Sequence, residues 1–140
     1  MAEPLDRAVL DQLFDNARTN NKWQHREVPD ALLRSIVEHM RWAPTSANCS
    51  PARFVFVKSP EAKARLKPHL SAGNVDKTMA APVTAIIGYD LNFYKALPRL
   101  YPPADAKSWF AGKKPHADTT AFRNGSVSYT HLTLPTIYSV

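Results

Sequence analysis

The chain has a single cysteine, Cys49, in 140 residues. No intrachain disulfide is possible, which agrees with a reducing compartment. Nothing approaches the ~20 consecutive apolar residues of a membrane-spanning helix. The first residues carry Glu3 and Asp6 and no apolar run, so nothing there reads as a signal peptide. A cytoplasmic protein without a membrane partner is expected. The net charge is +6, yet Lys and Arg form no run. The histidines, His25, His39, His69, His116 and His131, are scattered, with neither metal-ligand nor Ser-His-Asp spacing. Val127 to Val140 contains no Asp, Glu, Lys or Arg at all.

What is present suits one globular domain: 44% of residues are apolar and 21% charged. The densest basic patch is Lys58, Lys63, Arg65 and Lys67, with Glu61 among them. It reads as the solvated face of a helix, not a nucleic-acid groove. The competing reading, a basic anion- or RNA-binding module, requires strongly salt-dependent binding.

Apolar periodicity predicts helices over Pro4 to Ala17 and from Val28-Pro29-Asp30 to about Trp42, with Leu33, Ile36, Val37 and Met40 in one stripe. Phe54 to Val57 reads as a strand. Ser59-Pro60-Glu61 starts a helix that runs to about Leu70, with Ser59 as cap. Gly73 is expected at a left-handed position, before a short helical turn that Ala81-Pro82 ends. Val83 to Tyr89, the most apolar stretch, reads as a buried central strand. Leu91 to Leu97 is a weak helix, and Pro98, Pro102 and Pro103 impose an irregular path. Another helix begins over Ala117 to Ser126, with Asp118 near its positive end.

Between the second helix and the first strand lies Pro44-Thr45-Ser46-Ala47-Asn48-Cys49-Ser50-Pro51. Two prolines stop helix and sheet from running through it. Thr45, Ser46, Asn48 and Ser50 can each donate and accept hydrogen bonds. A rigid polar loop between packed elements suits a ligand, but on the residues alone an ordinary helix-to-strand connection is the commoner case, because turn residues are frequent in such loops. Cys49 lacks a neighbouring base and reads as a small filler.

This loop and the strand after it resemble the flavin-contacting loop of the nitroreductase family, which reads Pro-Ser-Ser-x-Asn-x-Gln-Pro. Thr45 stands for the first serine and Ser50 for the glutamine. These departures resemble the malonic semialdehyde reductase (3-hydroxypropionate dehydrogenase) branch of pyrimidine degradation. The resemblance covers about Leu13 to Ser126 and is strong in Ala17-Arg18-Thr19, Ser71 to Pro82, Ser108-Trp109-Phe110 and Thr120 to Asn124. It implies an α+β nitroreductase-like fold, FMN as cofactor, NAD(P)H as electron donor, a homodimer with flavins at its interface, and malonic semialdehyde as substrate. A nitroaromatic, quinone or enone is the second substrate reading.

By the same resemblance Pro44, Thr45, Ser46 and Asn48 contact the flavin, Arg18 grips its phosphate with Lys22 as a weaker second, and Asn74 and Lys77 approach its ring. Trp109 and Phe110 form either a wall over the ring or a local hydrophobic plug. No catalytic side chain and no metal is implied, because the flavin carries the chemistry.

Residues 127–140 resemble the in-frame translation of a sequencing adapter. They are set apart as foreign, leaving 1–126 as the N-terminal part of one domain, C-terminally truncated by comparison with the ~200 residues of the family's domain. A truncated product without function is the remaining alternative.

Overall fold

The computed structural model describes residues 4–133. Helix α1, Arg7–Leu10, runs into a wide π turn over Asp11–Asp15. Helix α2 spans Asp30–Met40, and strand β1 Ala52–Val57. Helix α3 is Pro60–Leu66, and α4 is Val75–Ala80. Strand β2, Thr84–Tyr89, precedes the short α5, Leu97–Leu100, and the 20-residue α6, Lys114–Thr133. The two strands pair antiparallel, with Ala52 opposite Tyr89 and Val57 opposite Thr84. Helix α6 packs across both strands and against α2.

The core gathers Cys49, Phe93, Leu97, Ala106, Phe110, Ala117 and Ala121. Helix α6 can come this close because the residues it buries are mostly small. Ala117, Ala121, Gly125, Ser128 and Leu132 recur at helical spacing on its inner face. At Gly125 a Cβ would stand 3.2 Å from the Tyr89 Cβ, so the α6 backbone lies directly against the Tyr89 side chain of β2 there.

Helix α2 and β1 follow the sequence pattern closely. The Ser59 hydroxyl accepts from the Ala62 amide at 3.2 Å, capping α3 with Pro60 in its first turn. The first helix is shorter than expected. The Asp6 carboxylate accepts from the Ala8 amide and caps α1 after Pro4, and Leu5 and Phe14 stay 60% exposed, so no packing holds the remaining turns. Pro29 is the cap residue of α2 and not part of its first turn. Gly73 is not left-handed: it lies in a 3₁₀ turn, Ala72–Asn74, and Leu70 breaks the preceding helix by turning extended. Strand β2 is not a buried central strand. Among the described residues it has one neighbour, β1, and Ile86 is 42% exposed. The weak helix splits into a 3₁₀ turn, Phe93–Ala96, and α5, which holds Pro98 in its first turn.

The basic patch is not wholly solvated. Lys63 is buried and donates to the carbonyls of Thr78, Met79 and Ala81, capping the end of α4. Lys58 pairs with Asp30 at 2.7 Å and holds that carboxyl below its ordinary pKa. The helix expected over Ala117 to Ser126 starts three residues earlier and continues through Thr133, so the first residues of the charge-free tail are helical.

Candidate functional site

The Pro44–Pro51 loop folds as a 3₁₀ turn, Ser46–Asn48, in an unusual backbone state. Ala47, Asn48 and Ser50 have φ of 50°, 51° and 38°. Three non-glycine residues in left-handed territory cost on the order of 1–3 kcal/mol each and persist only where the surroundings over-determine them. The surroundings do so. The Asn48 amide Nδ2 donates to the Leu100 carbonyl at 3.1 Å. The Ser46 N–H donates to Asn124 Oδ1 on α6 at 2.8 Å. The Ser50 N–H donates to Thr45 Oγ1 at 3.1 Å. Cys49 is driven into the core at 1% exposure, and burial raises its thiol pKa. The filler reading of Cys49 therefore holds.

Arg53 fastens the far end of the loop. Its guanidinium donates to the carbonyls of Ser50, Pro51 and Ala52 and pairs with Asp90 at 2.8 Å. The loop's backbone donors at 46, 48, 49 and 50 are thus consumed internally or by α6. Among the described residues, Ser46 Oγ and Asn48 Oδ1 have no partner, and both residues are exposed. The loop therefore offers a hydroxyl and a carboxamide oxygen on a rigid frame, suited to the polar edge of a small molecule.

A second group forms around α4. The Trp23 indole donates to the Lys77 carbonyl at 2.8 Å, and Lys77 Nζ reaches Asn21 Oδ1 at 3.5 Å. Asn21, Gly73, Asp76, Lys77 and Ala80 line an open depression of about 480 Å³. Asn74 sits at the head of α4 and is exposed. The guanidinium of Arg18, three residues before Asn21, bonds its neighbour's carbonyl, that of Ala17, and pairs with no carboxylate among the described residues.

The aromatic pair divides. Phe110 is the plug: it is buried, stacked on His116 at 5.0 Å and edge-on to Phe93. Trp109 is 44% exposed and lies 6.1 Å from the ring of Tyr101, the residue that follows Leu100, whose carbonyl holds Asn48. Sequence reasoning missed Asn124 and Leu100 as partners of the loop, because pairing across 78 and 52 residues has no local signature; it also missed Arg53, whose bonds to Ser50 and Pro51 are local. Among the described residues no cluster of His, Cys, Asp and Glu could hold a metal, and no helix is long and apolar enough to cross a membrane.

A family profile described as the nitroreductase family matches residues 1–96. The chain belongs to the nitroreductase family. A Burkholderia lata protein named as an NADH dehydrogenase/NAD(P)H nitroreductase is 61% identical over 130 residues, covering 93% of this chain and 67% of that protein. A like-named Stenotrophomonas maltophilia protein is 54% identical over 134 residues, covering 96% and 68%. The chain thus spans about two thirds of these nitroreductase relatives.

The solved structures agree on the fold. A Bacillus subtilis nitroreductase superposes with a TM-score of 0.82 at 17% identity, over 94% of this chain and 72% of that one. A nitroreductase from Exiguobacterium sibiricum, solved in complex with FMN, gives 0.74 at 18% identity, over 95% and 70%. The α+β nitroreductase-like fold of the family is the fold of this chain.

Proposed function

We propose that this nitroreductase-family chain is part of an FMN-dependent oxidoreductase that draws electrons from NAD(P)H. The observation that carries the reading is the strained loop with its free Ser46 hydroxyl and Asn48 carboxamide oxygen. Its donor set fits a flavin: neutral hydrogen-bonding groups for the ring, and cations unpaired with carboxylates for the phosphate. Thr45, Ser46 and Asn48, set by Pro44, would hold the ring, and Arg18, with Lys22 beside it, would bind the phosphate as a charge-assisted pair. Asn74 and Lys77 would face the ring, where an ammonium favours the negative charge of a reduced cofactor. What FMN supplies when bound is reversible acceptance of a hydride equivalent. The protein's part is to position, to exclude water and to bias charge. Trp109 would form the aromatic wall on the substrate side, with Phe110 supporting it from the core.

Malonic semialdehyde, reduced to 3-hydroxypropionate, is the proposed substrate, supported by Thr45 and Ser50 in the loop. A nitroaromatic, quinone or enone is the second reading, and the names of the relatives favour its nitro member. The proposed working form is a cytoplasmic homodimer. We also propose that 1–126 is the native segment and 127–140 is foreign, on the adapter-like sequence of that stretch.

The test is to titrate the purified protein with FMN, then follow NADH and NADPH oxidation with malonic semialdehyde and with a nitroaromatic in parallel. Saturable flavin binding and faster turnover of the aldehyde are expected. Absence of FMN binding would sink the cofactor assignment, and turnover of the nitroaromatic alone would replace the substrate.

A further inference from the structure

The 3₁₀ turn of the loop has no cap of its own. Thr45 occupies the capping position, but its hydroxyl is spent on the Ser50 amide. The missing acceptor comes from 78 residues away, where Asn124 Oδ1 takes the Ser46 N–H at 2.8 Å. The other side of the same carboxamide, Nδ2, donates to the Thr120 carbonyl at 2.9 Å. An N–H faces one end and a carbonyl the other, so only one orientation of the amide satisfies both. Asn124 is itself held in height by its helix, because Ala121 is fully buried and Gly125 abuts Tyr89.

We infer that Asn124 is a positioning residue of the site. It caps the loop from α6 and thereby keeps Ser46 Oγ and Asn48 Oδ1 in the geometry a ligand meets. It acts through the Ser46 backbone. The inference rests on the flavin reading for its ligand, and on the loop geometry alone for its mechanism.

Two variants separate the capping acceptor from mere volume. Asn124→Asp keeps an oxygen for the Ser46 N–H and gives up the bond to Thr120. Asn124→Leu keeps the size and gives up the acceptor. Amide hydrogen exchange at Ser46 and FMN affinity are measured on both, alongside the urea midpoint. In Asn124→Leu, Ser46 protection and FMN affinity should each fall about tenfold, the size of one lost hydrogen bond. In Asn124→Asp both should stay within about threefold of the parent. Asn124→Ala, which adds no bulk, gives the same reading should the leucine variant not fold. Unchanged Ser46 protection in the variants lacking the acceptor would overturn the inference, as would an aspartate variant as impaired as the leucine one. A parent protein that binds no FMN overturns the cofactor reading instead, while the exchange data still decide the cap.

Discussion

Asn48 carries two burdens, a left-handed backbone and the bond to Leu100. Asparagine tolerates this backbone better than most residues, and a β-branched residue tolerates it least. Asn48→Val should therefore destabilise the fold by about 1–3 kcal/mol. Asn48→Gly, which relaxes the backbone and loses only the bond, should cost about 1 kcal/mol or less. Urea unfolding of the pair distinguishes strain from hydrogen bonding, and equal losses would count against strain. Cys49 gives a pH signature. Burial disfavours its thiolate, so the folded pKa lies above the unfolded one. Its contribution is complete below the unfolded pKa and declines as pH rises through and beyond it, because the unfolded chain releases the proton first. Stability should fall on the alkaline side in the parent and fall less in Cys49→Ala, as read by thermal melts across alkaline pH.

Among the elements, α4 depends on a side chain from α3. Lys63→Met removes the donor that three carbonyls share at the end of α4. A loss of about 1–3 kcal/mol in urea unfolding is expected, with weakened protection of residues 75–81 in hydrogen exchange. An unaltered exchange pattern there would show that α4 stands without the clamp. The elements were also where the sequence spoke most clearly. Helix α2 and the Ser59 cap of α3 follow from periodicity and capping chemistry, which are local. The loop was legible through its two prolines and its polar residues. What was not legible was relational. Nothing near Lys63 announces the carbonyls of α4, and nothing near Asn124 announces Ser46. Strand β2 misled because its apolar run implied cover on both faces, while the described residues cover it with α6 and one strand.

At the scale of the whole molecule, surface area is the informative quantity. The chain exposes 10242 Å² at 15.6 kDa. A closed monomer of that mass exposes about 7,200 Å². Part of the excess is apolar: Trp42 is 78% exposed, and Phe122 and Val55 are each 58% exposed. Such surface favours association. Sedimentation velocity should show self-association that grows with concentration and weakens in Phe122→Arg, and a concentration-independent monomer would refute it. Thermal stability would then rise with protein concentration as well.

The two bonds that tie down the left-handed loop reach across 52 and 78 residues. Both anchors lie downstream of the loop, so a chain made from its N-terminus exposes the loop long before either exists. Closing such long segments is slow compared with forming a turn. The loop should therefore be the last part of the fold to reach its final shape. A nascent chain that stops short of α6 would contain every loop residue and still lack the acceptor that Asn124 gives the Ser46 N–H.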